Sequence, residues 1–176
     1  MTTSEPGRYK ADSAGAIRPD LAFLLRRPEH FLALGFGSGL SRMAPGTMGT
    51  VAALPLFGLL MLVPGPVHHA IIALLFVLGI RLCSVTGRNL GVADHGSIVW
   101  DEIVAMLLVL EFAPLAWQWW LAAFLLFRLF DIWKPYPIRW FDMRLKGGFG
   151  VMFDDLLAAV YAIVSLEALQ WIMLHF

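Results

Sequence analysis

Charge and cysteine are both scarce in this sequence, and each shortage narrows what the chain is able to be. Only 15% of its 176 residues are charged, against 59% hydrophobic, and the mean hydropathy is +0.73. A soluble domain averages about 25% charged and about 45–50% apolar residues, so this composition suits a chain that has lipid as part of its solvent. Its 13 basic residues are balanced by 13 acidic ones, which leaves no net field to recruit nucleic acid. Cys83 is the single cysteine, so an intramolecular disulfide and a thiolate-rich metal site are excluded. No internal repeat or low-complexity tract breaks the chain into parts, and its length suits one domain.

What is present is a polar start followed by long apolar runs. Residues 1–30 read as a cytosolic tail, with Phe23 and Leu24 resting on the membrane surface; its apolar run at residues 21–25 is too short for a signal-peptide core. Residues 31–176 then form the membrane-embedded domain. Residues 48–80 carry no formal charge, but Pro64, Gly65 and Pro66 interrupt them and predict two helices, over 50–63 and 67–85. A single helix over 101–133 would be about 50 Å long, far more than a hydrocarbon core of about 30 Å requires. A hairpin turning near Pro114 is expected instead, and 156–174 supplies a final span. The expected fold class is therefore all-α: a polytopic membrane bundle of five transmembrane helices. With the amino terminus inside, all 13 basic residues, from Arg8 to Lys146, fall on the cytoplasmic side, as the positive-inside rule asks. Trp100, Trp133 and Trp140 then mark the inner interface, and Trp117, Trp119, Trp120 and Trp171 the outer one.

Under that topology, three groups of carboxylates share one membrane depth: Asp101 and Glu102 opening the third helix, Asp131 closing the fourth, Asp154 and Asp155 opening the fifth. Carboxylates so near hydrocarbon are costly unless paired or metal-bound, which makes them functional candidates. Capping of helix amino termini is the competing explanation for each one taken singly. Oxygen-only ligands suit Mg²⁺ or Mn²⁺ rather than zinc. The glycine-rich residues 35–47 lead into the first helix, where free N–H groups and the helix dipole favour an anion, with Ser41, Arg42 and Thr47 as donors. Packing or turn formation explains the same glycines, and the Lys-Ser/Thr ending of a nucleotide P-loop is absent. Arg128 and Asp131 share a helical face and are placed to neutralise each other. Lys134 precedes Pro135 and Pro137, which fix the direction of the chain.

Other phosphatase chemistries find no support. Cys83 and Arg88 are one residue short of a Cys-x5-Arg loop, and Cys83 lies in an apolar helix. There is no Asp-x-Asp nucleophile pair, and the histidines do not cluster on the inner side; His95 reads as a turn residue with a lesser claim as a proton donor. Gly147-Gly-Phe-Gly reads as a flexible approach to Asp154. Elimination leaves metal-activated water attacking a phosphomonoester.

Four segments together resemble one family. They are Gly37-Ser-Gly-Leu-Ser with Ala44-Pro-Gly-Thr; Ile98-Val-Trp-Asp-Glu-Ile; Phe127-Arg-Leu-Phe-Asp-Ile-Trp-Lys-Pro-Tyr-Pro-Ile; and Gly147-Gly-Phe-Gly-Val-Met-Phe-Asp-Asp. They resemble the phosphatidylglycerophosphatase A family, from about Phe31 to the carboxyl terminus. The resemblance implies a Mg²⁺-dependent enzyme of the bacterial inner membrane that converts phosphatidylglycerophosphate, a phospholipid of the cytoplasmic leaflet, into phosphatidylglycerol. Asp101, Glu102, Asp131, Lys134, Asp154 and Asp155 match its motifs. Ala105 and Ala159 stand where glycines are expected, a difference of packing that touches no ligand.

The expected mechanism has Asp101, Glu102, Asp131, Asp154 and Asp155 holding one or two metal ions, while Lys134, Arg128 and the Thr47 loop balance developing charge. Two alternatives stay open. One is a phosphatase for another lipid phosphate; the other is an ion or proton carrier in which Glu111 and Glu167 complete a path across the membrane.

Overall fold

The structure, a computed structural model, describes residues 16–175; residues 1–15 of the expected tail lie outside them. Among the described residues the fold is all-helical: α1 (Leu21–Leu25), α2 (Pro28–Ala33), a 3-10 segment (Gly35–Leu40), α3 (Pro45–Leu60), α4 (Gly65–Leu90), α5 (Trp100–Leu110), α6 (Trp117–Trp133), α7 (Ile138–Arg144) and α8 (Gly147–His175). Two of these, α4 and α8, are long and apolar enough to cross a membrane, and α3 is a shorter apolar helix.

The core is built around α5. Its sequence is apolar on every side after Glu102, the pattern of a helix surrounded by others, and it packs against α3, α4, α6 and α8. Only Glu102 and Leu108 on this helix escape full burial. Small residues set the close approaches, as they do where helices meet without a hydrophobic drive between them. A Cβ on Gly79 of α4 would meet Met152 and Trp100, and one on Gly148 of α8 would strike the Ile80 carbonyl and Ser84. Ala158, Ala159 and Ala162 continue the packed face of α8.

The expected hairpin near Pro114 is present, since α5 ends at Leu110 and α6 begins at Trp117. Other boundaries moved. Helix α3 starts at Pro45, five residues before expected; proline suits a first turn because its missing N–H would have no partner there. Helix α8 starts at Gly147, nine residues before the expected 156. Its glycines are not a flexible approach but the first turn, pressed against α4, where Gly148 N–H donates to Ser84 Oγ at 3.1 Å. Phe23 and Leu24 do not rest on a membrane surface: both are buried, while Leu21 and Leu25, on the other side of α1, are exposed. Trp100 is also no interfacial residue. It is buried between helices, and its indole donates to the Leu75 carbonyl at 3.1 Å. Trp133, Trp117 and Trp171 remain exposed.

Candidate metal centre

Three helices converge their acids at one level of the bundle. Asp101 and Glu102 lie in the first turn of α5, Asp131 near the end of α6, and Asp154 and Asp155 in the second and third turns of α8. One carboxylate oxygen from each of Asp101, Glu102 and Asp155 falls within 4.8 Å of the others. Capping does not account for them. The α5 N-cap is Val99, with no side-chain cap bond, and Asp154 and Asp155 are two turns inside α8 rather than at its start.

Two cations serve the outer acids. Arg128 Nη1 lies 2.5 Å from Asp131 Oδ2 and 3.8 Å from Glu102 Oε1. Lys134 donates to Asp154 and, at 3.0 Å, to Asp142 Oδ1. Burial works against the charge on Lys134, but Asp154 and Asp142 outweigh it and hold its pKa above the ordinary lysine value. Lys134 itself adopts a left-handed backbone at the end of α6, φ 46°, which turns the chain back toward α8. Among the described residues, neither Asp101 nor Asp155 pairs with a basic side chain.

Whether a hard cation fits can be judged from the orphaned atoms. Asp101 Oδ1, Glu102 Oε2, Asp154 Oδ1 and Asp155 Oδ2 are buried without a hydrogen-bond partner among the described residues. Unpaired buried carboxylate oxygens are among the most expensive groups a protein holds. Several together, all oxygen donors, match the ligand chemistry of a hard divalent ion.

The phosphate donors expected upstream divide. The first turn of α3 reaches the centre, since a Cβ on Gly46 would touch Glu102 Oε1 and Arg128. Glycine leaves room there for the ends of those two side chains, and Thr50 Oγ1 ties that turn by donating to Gly46 O at 2.9 Å. Thr47 is half-buried in the same turn. Ser41 is not brought to the acids: it donates to Met43 O at 2.7 Å in an exposed turn, and Arg42 beside it is exposed. Gly46 and Asp142 have no individual role among the sequence expectations. The Pro-Gly-Thr start of α3 held a signal for the first; an acid eight residues past Lys134 held none for the second.

Residues away from the centre behave as structure. Cys83 is buried, its thiol facing Met152 Sδ at 3.8 Å. His95 accepts from Ser97 N–H at 3.1 Å and so holds a turn. At the far end of α5, Glu111 pairs with His68 at 2.9 Å, and His68 Nε2 donates to the Val63 carbonyl at 2.8 Å.

Fold and centre together define an all-helical protein with an acidic, metal-competent site buried between apolar helices. The chain belongs to the phosphatidylglycerophosphatase A family, whose model matches residues 31–170. It is 53% identical to phosphatidylglycerophosphatase A of Haemophilus influenzae over 152 residues, 85% of this chain and 93% of that one. It is 47% identical to phosphatidylglycerophosphatase A of Escherichia coli over 137 residues, 77% and 80% of the two chains. A Bacteroides thetaiotaomicron protein named putative phosphatidylinositol-3-phosphatase is 36% identical over 160 residues, 85% of this chain and 99% of its own. No solved structure matches the chain.

Proposed function

We propose that this chain is a membrane-embedded phosphatidylglycerophosphatase, with residues 31–176 as its catalytic domain and Asp101, Glu102, Asp131, Asp154 and Asp155 as a Mg²⁺ site facing the cytoplasm. The observation that carries this is the set of four orphaned carboxylate oxygens, from α5 and α8, buried at one level in a chain of this family. Membership agrees with the chemistry: a bacterial relative of the same name covers most of the chain.

When bound, Mg²⁺ supplies positive charge to phosphoryl oxygens and makes water a better nucleophile. Asp101, Glu102 and Asp155 hold it. Arg128 fixes Glu102 and Asp131 in place, and Lys134 fixes Asp154 while presenting a charged ammonium to the phosphate. The uncapped amino terminus of α3, with Gly46 against Glu102, turns N–H groups and the positive end of its dipole toward the same anion. In the reaction, water adds to phosphorus and gives up a proton, the bond from phosphorus to the glycerol oxygen breaks, that oxygen takes up a proton in exchange, and inorganic phosphate leaves.

The carrier alternative loses its path. Asp101 and Glu111 are about 15 Å apart along α5 at 1.5 Å per residue, residues 103–110 between them are all apolar, Glu111 is tied to His68, and Glu167 is exposed on α8. A substrate panel tests the enzyme reading. Purified protein is expected to release phosphate from phosphatidylglycerophosphate with a kcat/KM at least about tenfold above that for phosphatidylinositol 3-phosphate, the discrimination that headgroup-specific hydrogen bonds provide. The reverse order would assign it the other lipid; release from neither would remove the phosphatase reading.

For topology we propose five spans, α3, α4, α5, α6 and α8, with the amino terminus inside. Helices α3, α5 and α6 are about 24, 16 and 26 Å long at 1.5 Å per residue, so the bilayer around them must thin or the acids must sit below its surface. In a Cys83→Ser background, a cysteine at Pro66 is expected to react with an impermeant thiol reagent from the outer side. Labelling from the cytoplasmic side alone would contradict the five-span arrangement.

A further inference from the structure

An apolar groove of about 310 Å³ runs between α4, α5 and α8, lined by Ala73 and Val77 on α4, Asp101, Ala105 and Leu108 on α5, and Met152 on α8. Its inner end is Asp101, whose Oδ1 is one of the orphaned oxygens of the metal centre. Its outer end is His69, so along α4 it extends about 12 Å, eight residues at 1.5 Å each. The flank formed by His69, Ala73 and Val77 is exposed, so the groove opens sideways rather than into the bundle. Apart from Asp101 and His69, every lining residue is apolar.

We infer that this groove seats one acyl chain of the phospholipid whose headgroup is hydrolysed. The inference rests on the phosphatase reading and deepens it. Three features select the occupant. At the depth of α4 and α5 the surrounding molecules are alkyl chains, and a lateral, apolar groove offers nothing to a polar ligand. The groove ends against Asp101, a residue of the acid centre, so a chain seated in it places its headgroup beside that centre. Its direction is also that of a cytoplasmic-leaflet lipid: the acid end lies toward the basic, inner side of the helices and the other end toward the Pro64–Pro66 turn. Ala105 contributes as well, because its small side chain leaves room that a larger residue on α5 would fill.

The test compares dihexanoyl with dipalmitoyl phosphatidylglycerophosphate in detergent micelles at fixed mole fraction. Ala73→Phe fills the groove from its exposed flank, and Ala105→Leu fills it from the buried wall. Each is expected to lower the dipalmitoyl-to-dihexanoyl ratio of kcat/KM by about tenfold or more, mainly through KM, the scale on which apolar pockets read added carbon. Val164→Phe, exposed on α8 and outside the groove, should keep the wild-type ratio. A second measurement needs no turnover. In Asp155→Asn protein, phosphatidylglycerophosphate with a diazirine in its acyl chain should crosslink to residues of α4, α5 and α8 that line the groove, and phosphatidylcholine with the same chain should not. Should wild type hydrolyse both lipids while Ala73→Phe and a folded Ala105→Leu keep its ratio, the groove assignment falls and the phosphatase reading stands. Should neither lipid be hydrolysed, the phosphatase reading falls, and the crosslink alone decides whether the lipid occupies the groove. Equal crosslinking by phosphatidylcholine would assign the groove to bulk lipid and overturn the inference.

Discussion

Changing Asp155 to Asn is expected to lower phosphate release by about 100-fold or more, beyond the 10–100-fold typical of groups that only support a metal ligand. The protein should remain folded, and its metal-free form should be more stable than wild type. The sign follows from the surroundings of Asp155. It is buried, has no basic partner and leaves Oδ2 unpaired among the described residues, and shares a small volume with Asp101 and Glu102. Removing its charge relieves repulsion and desolvation, while removing a ligand weakens the cation, so stability and activity should move in opposite directions. Asp131→Asn and Asp154→Asn should also lose activity by orders of magnitude, but without that gain, because Arg128 and Lys134 then lose partners. Extra Mg²⁺ should restore part of the loss. If the carboxylates were caps, each Asn, which caps a helix about as well as Asp, would change stability little and leave turnover nearly intact. Near-normal turnover in all three variants at ordinary Mg²⁺ would dismiss the site.

The second large effect is expected at Lys134. Lys134→Met leaves buried Asp154 beside Asp142 without its lysine; breaking a fully buried pair from one side costs roughly 3–5 kcal/mol, and the 25% exposure of the Lys134 side chain puts the expected loss below that. The backbone there is left-handed for lysine and methionine alike, so the comparison isolates the charge. Turnover should also collapse under the proposed role of Lys134, in which its ammonium faces the phosphate. Adding Asp154→Asn to Lys134→Met should recover most of the stability and none of the turnover. Denaturant titration in detergent, run beside a phosphate-release assay, separates the two quantities; wild-type stability in Lys134→Met would show that the pair carries no weight.

Much of this arrangement was legible in the sequence, for local reasons. Pro64 precedes α4, Pro66 stands in its first turn, where proline is tolerated, and Pro114 lies between α5 and α6, so the α3–α4 and α5–α6 turns are legible directly. The acids of α5 and α6 could be placed because each follows or precedes an apolar run of clear length. The start of α8 could not. Gly147-Gly-Phe-Gly has the composition of a linker, and only its contacts with Ile80 and Ser84, more than 60 residues earlier, make it a helix. That shift changes the argument about function, because it takes Asp154 and Asp155 away from a helix end and removes capping as their explanation. Trp100 was misplaced for a similar reason: a tryptophan near a membrane helix end suggests an interface, but a buried one is stable when its N–H finds a carbonyl, and Leu75 supplies it. Ser41 and Arg42 looked like phosphate donors from their place in a glycine-rich stretch. The chain instead turns through Ala44 in a left-handed conformation and brings Gly46 to the acids, leaving Ser41 to hold the turn.

The claim on which the account depends is that buried carboxylates from different helices share a hard divalent ion that the reaction requires. Phosphate release by the purified protein from phosphatidylglycerophosphate, measured in excess chelator and again after Mg²⁺ is returned, tests it most directly. The account predicts that turnover stops in chelator and recovers with Mg²⁺ in the wild type and in Cys83→Ser, whose thiol is buried against Met152. Undiminished turnover in excess chelator would contradict it.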